Sequence, residues 1–146
     1  MPTAAKLMGG LFLACTAGYI SFVYLGNTPS VTVGPEYLFV NALIGFLVGW
    51  RSIGSDPGFG GMDSIMAGFR GIISFIFLST VTFGIWVVII KLQGFFIKTF
   101  ENVFSSWFDA AMIYLKIIWD PNVILVLTVG GIISGIASGL ANRFWT

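Results

Sequence analysis

Histidine is absent from this 146-residue chain, cysteine occurs once, at Cys15, and charged side chains make up only 9% of it. Each shortage closes a class of chemistry. Without histidine and with a single thiol, the chain by itself supplies no intrachain disulfide, no Cys/His zinc site, no histidine-ligated haem or chlorophyll and no histidine acid–base catalyst. The six carboxylates are scattered, no two within four residues of each other, so neither a paired acid and base nor an oxygen-ligand cluster is visible. The shortage of charge says most. A typical soluble domain carries about 25% charged residues, whereas this chain is 57% hydrophobic with a mean hydropathy of +0.97. That balance reads as an all-α, polytopic integral membrane protein forming a single membrane domain. A net charge of +1 points to no nucleic-acid partner.

What is present is a series of long uncharged runs punctuated by charge. Residues 7–25 lie between Lys6 and a polar Asn-Thr-Pro-Ser stretch and, at about 1.5 Å per residue, reach across a hydrocarbon core of about 30 Å. A second run, residues 37–50, follows Pro35 and Glu36, which suit the first turn of a helix, and ends at Trp50 and Arg51, an interfacial stop. It is short for a span. RSIGSDPGFGGMD, residues 51–63, reads as a connector around an Asp-Pro-Gly turn and lacks the Lys and Ser/Thr of a phosphate loop. Asp63 is then expected to cap a third helix, with Arg70 snorkelling to the interface ahead of the uncharged run 71–90. Asp120 and Pro121 read as a cap and first helical residue for a last span that ends in Arg143, Phe144 and Trp145. The expected spans are therefore residues 5–25, 35–51, 64–92 and 121–143.

Residues 94–118 differ in kind. Phe96, Phe100, Val103, Phe104, Trp107, Ala111, Tyr114, Leu115 and Ile118 recur at helical spacing, with Lys98, Glu101, Asn102, Ser105, Asp109 and Lys116 opposite them. Charge at the centre of a lipid-exposed span costs about 2.5 to 3.5 kcal/mol per residue, so the segment reads as an amphipathic interfacial helix, aromatic face down, closed by Trp119. The alternative is a fifth span with Asp109 hidden inside the protein. Lysine and arginine counts barely favour an orientation. The first connection carries neither residue, which places both termini in the cytoplasm.

Glycine is abundant where a soluble helix would avoid it. Gly131, Gly135 and Gly139 form a GxxxGxxxG stripe flanked by Ser134 and Ser138, and Gly45, Gly49 and Asn41 share a face of the second run. Gly10, Ala14 and Gly18 do the same in the first. In lipid, small residues let helix backbones approach, and close packing drives association. Two readings follow: the stripes pack this chain against itself, or the last one receives another polypeptide. Cys15 with Lys6 upstream faintly resembles a lipoprotein signal, but the bulky Phe12 and Leu13 oppose it, so Cys15 reads as a small apolar filler in an uncleaved span. The many aromatics suit contact with membrane lipid, with a pigment or quinone tail as the alternative. No cofactor is expected.

PTAAKL at residues 2–7, NALIGFLVGWR at 41–51, the Asp-Pro pair at 120–121, Gly130 and Gly131, and the Arg-aromatic end at 143–145 resemble the TrgA family. These are small bacterial inner-membrane proteins named for an association with tellurite resistance. The resemblance implies a polytopic protein of the bacterial inner (cytoplasmic) membrane and brings no catalytic residue with it. Tellurite reduction would need thiols or a redox cofactor, and one cysteine, expected buried, supplies neither. The leading expectation is a non-enzymatic accessory subunit packed into a larger membrane assembly, respiratory or photosynthetic. The alternative is an oligomeric carrier or channel that contributes to tellurite resistance.

Overall fold

In a computed structural model of the chain, residues 4–25, 34–56, 58, 61–94 and 100–144 are described. Among them the architecture is all-helical. Helix α1 (Ala4–Ile20) continues into a π-helical turn at Ser21–Leu25, and α2 (Pro35–Val48) into another at Gly49–Ile53. Then come α3 (Gly61–Gln93), α4 (Phe100–Ile118) and α5 (Pro121–Phe144). Three helices are long and apolar enough to cross a membrane: Ala4–Val23, Gly61–Gln93 and Pro121–Phe144. Helix α2, expected as a fourth span, falls short of that measure with 14 α-helical residues.

Local chemistry sets the boundaries. Pro35 opens α2 after Gly34, whose carbonyl accepts from the Tyr37 N–H at 3.1 Å, and Glu36 sits in the first turn where the helix dipole favours an anion. Asp120 caps α5 as expected: its Oδ1 accepts from the Asn122 N–H at 2.9 Å, with Pro121 in the first helical position. Asp63 does not cap α3. That helix begins two residues earlier, at Gly61, so Asp63 acts as a first-turn acid. The expected connector 51–63 shrinks accordingly, since Arg51 to Ile53 belong to the π turn, whose ring closes through the Gly54 N–H and the Gly49 carbonyl at 2.9 Å. Gly58 takes φ +73°, the left-handed conformation glycine tolerates without a Cβ clash.

Helix α1 runs antiparallel to both α2 and α5. Asn41 meets Ala17 and Ser21, Gly45 meets Leu13, Gly49 meets Gly9 and Gly54 meets Lys6 along the first pair. Ser134 bonds the Gly9 carbonyl and Ser138 the Ala5 carbonyl along the second, each at 2.8 Å. Helix α5 is likewise antiparallel to α3, with Gly131 against Gly68 and Gly135 against Ser64. The four helices thus alternate in direction around a core of Leu13, Ala17, Ile20, Tyr37, Ile53, Phe75, Phe83, Val123 and Leu127. Helix α4 folds back on the second half of α3. Trp107 lies on Gly84 and donates to the Val81 carbonyl at 3.4 Å, while Tyr114 stacks on Phe83 at a 4.9 Å centroid distance.

Candidate functional site

Two features stand out from the packing: a buried polar junction where four helices meet, and the outward face of α4. Asn41 anchors the junction and is fully buried. Its Nδ2 donates to Ser21 Oγ at 2.6 Å and to the Ala17 carbonyl at 3.4 Å, and its Oδ1 accepts from Ser79 Oγ at 2.9 Å. The Tyr37 hydroxyl donates to the Ser79 carbonyl at 3.4 Å. From α4, the buried Tyr114 hydroxyl approaches Ser79, Asn41 and Tyr37 yet completes no hydrogen bond among the described residues. Asn41 thus ties α1, α2 and α3 at one level. Ser21 begins the first π turn, and a π turn presents side chains off the regular α-helical face.

The small-residue stripes are used inside the chain. A Cβ on Gly135 would run into the Ser64 carbonyl, and one on Gly68 into the Gly131 carbonyl, so α3 and α5 touch backbone to backbone. Ser134 and Ser138 turn instead to α1. Gly139 is half-buried. Gly45 on α2 and Gly49 in the π turn that follows it receive α1, as expected; from α1's side Gly10 and Ala14 make tight contacts, joined by Gly9, whereas Gly18 has only Ala42 nearby, at 3.8 Å from an ideal Cβ. Gly9 and the Ser64–Gly68 pair lie outside the expected stripes. The pair carries the same signal, two small residues four apart, at the start of the expected span 64–92, ahead of Arg70.

The interface residues divide. Trp50 is half-buried and packs on Phe46 at 5.6 Å, and Arg51 is exposed beside it. Arg70, expected to snorkel, is held by the adjoining turn: its guanidinium pairs with Asp56 Oδ2 at 3.1 Å and donates to the carbonyls of Ser52 at 2.9 Å and Asp56 at 3.0 Å. Arg143 is exposed, and Trp145 lies outside the described residues, as do Phe96 and Lys98. Cys15 was expected to fill space inside the bundle; it is exposed on the outer side of α1.

Helix α4 corrects the expectation of one aromatic face. At 100° per residue, Val103, Trp107, Ala110, Tyr114 and Ile118 form one arc turned to the protein, and Phe100, Phe104, Phe108, Leu115 and Trp119 an adjacent arc turned outward. Phe100 is 86% and Trp119 78% exposed. Glu101, Ser105, Asp109 and Lys116 occupy a third, exposed arc, so Asp109 is not hidden within the chain. Comparisons with protein-family models, with curated proteins and with solved structures found no match.

Proposed function

We propose that the chain is a four-span protein of the bacterial inner membrane, with α1, α2, α3 and α5 crossing and α4 lying at the boundary, and that it serves as a non-enzymatic accessory subunit of a larger membrane assembly. The alternating directions of the four helices support the count. Helix α3 ends, and α5 begins, on the same side of the bundle, so α4 between them does not have to cross. Both termini then share a side, and the lysine- and arginine-free first connection favours the cytoplasm for it. Helix α2 is short, but it lies between α1 and α3 with Tyr37, Asn41, Ile44, Gly45 and Val48 buried, so protein rather than lipid covers much of it.

The observation that carries the accessory reading is the outward surface of α4. A row of exposed phenylalanines beside a row of carboxylate, hydroxyl and ammonium groups fits neither lipid alone nor water alone. One row enters the acyl boundary while the other meets headgroups or a neighbouring subunit. The glycine stripe of α5 no longer supports a partner, because α1 and α3 occupy it. The likeness to TrgA proteins agrees with an accessory role and supplies a phenotype, tellurite tolerance, to follow. Extraction in mild detergent followed by native electrophoresis tests the reading. Migration within a larger species, lost on Phe104→Lys with the bundle still folded, is expected; migration solely as a small free protein overturns it.

A further inference from the structure

On the outer surface between α2 and α3 lies a cavity of about 420 Å³. Its size falls in the range of about 300 to 1,000 Å³ typical of small-molecule sites. Leu47, Phe77 and Leu78 form its apolar walls, and Arg51, Ser52 and Ser74 its polar lining. The two helices are antiparallel, since Tyr37 meets Ser79 and Phe83 while Ile53 meets Gly71. The polar residues from both helices therefore gather at one end of the groove, and the apolar ones extend from there toward the middle of the bundle.

The charges at the polar end are unequal. Arg70 is neutralised by Asp56 and by two carbonyls. Arg51 is exposed and makes no ion pair among the described residues. It stands in the π turn Gly49–Ile53, and such turns recur at binding positions because they displace side chains from the regular helical face. Ser74 donates its proton to the Arg70 carbonyl at 2.9 Å, which leaves its oxygen free to accept. A guanidinium fork, a hydroxyl acceptor and a hydrocarbon-walled groove in line with them complement an amphiphile with an anionic, hydroxyl-bearing head.

We infer that this groove binds an anionic glycerophospholipid, its phosphate on Arg51, a headgroup hydroxyl on Ser74 and one acyl chain along Phe77, Leu78 and Leu47. The site rests on the membrane reading above. It assigns Arg51 a ligand rather than a merely interfacial position. A phospholipid, not a free phosphate ester, is the occupant, because more of the groove is hydrocarbon wall than polar end.

The test uses the full chain in mild detergent, titrated with phosphatidylglycerol or phosphatidylcholine of identical acyl chains and read by native mass spectrometry. At least a five-fold preference for phosphatidylglycerol is expected. Arg51→Gln should abolish it, Arg51→Lys retain part of it, and Arg143→Gln, a control on α5 outside the groove, leave it intact. Leu78→Trp, at an exposed wall position, should lower lipid retention with Arg51 still present, which guards against misfolding of the arginine variants. Equal retention of the two lipids, unchanged retention in both Arg51→Gln and Leu78→Trp, or displacement by soluble glycerol phosphate at equal concentration overturns the site. Alkaline carbonate extraction of the same membranes keeps the two readings separate. A chain that stays in the pellet without lipid preference refutes only this site, and a chain released to the supernatant refutes the membrane reading.

Discussion

Asn41 shows how one polar side chain can fix the register of three helices. Its amide is saturated by Ser21, Ala17 and Ser79, all out of contact with solvent. Replacing it by leucine deletes these bonds and leaves the Ser79 hydroxyl facing an apolar group. A buried hydroxyl so stranded costs about 1 to 3 kcal/mol. Asn41→Leu should therefore lower thermal stability in detergent by that amount, measured by circular dichroism melting; an unchanged midpoint would show that the junction contributes nothing. Cys15 gives a second check at this scale. Because it faces outward from α1, a membrane-impermeant maleimide should label it slowly in intact vesicles, where lipid keeps the reagent from the thiol, and fast after detergent extraction. Fast labelling in sealed vesicles would place that side of α1 in water. Asn41 could be read in the sequence as a helix-bridging residue. Ser21, Ser79 and Tyr114 could not, since hydroxyls are common in membrane helices and only the fold shows which of them converge.

At the level of the element, uncharged runs and their flanking Pro, Asp and Gly located α1, α2, α3 and α5 to within about three residues, and helical periodicity marked α4, expected from residue 94 and described from Phe100. They did not disclose the π turns, which arise where α1 and α2 press together at Ser21 and Gly49 and leave no compositional mark. Nor did they orient α4. A wide apolar arc fixes an average direction, whereas this helix divides its arc between a protein neighbour and the outside. That division is testable. Trp107→Ala removes an indole seated on Gly84 and should cost about 2 to 4 kcal/mol, somewhat less than a fully buried aromatic. Phe104→Ala, on the outward arc and 66% exposed, should leave the melting temperature of the isolated protein unchanged. Comparable losses for both variants would mean that α4 rolls about its axis relative to the arrangement described.

For the whole molecule, the small residues that look like an invitation to a partner turn out to hold the bundle shut. Gly131 and Gly135 bring α5 onto α3 while Ser134 and Ser138 bond it to α1, so two neighbours share the seam. The sequence displayed the stripe plainly but not its occupant, because close approach needs small residues whichever chain arrives. The surfaces proposed for another subunit and for lipid lie elsewhere, on α4 and in the groove beside Arg51. The decisive measurement is the fate of Gly135→Leu. A leucine there meets the Ser64 backbone and cannot be absorbed by a rotamer change, so a loss of more than about 3 kcal/mol, at or beyond the upper end of ordinary overpacking, is expected. Membrane abundance and the melting transition of the isolated protein should then collapse together. Full abundance and an unchanged melt, with only a larger native species lost, would contradict this and return the seam to an outside partner.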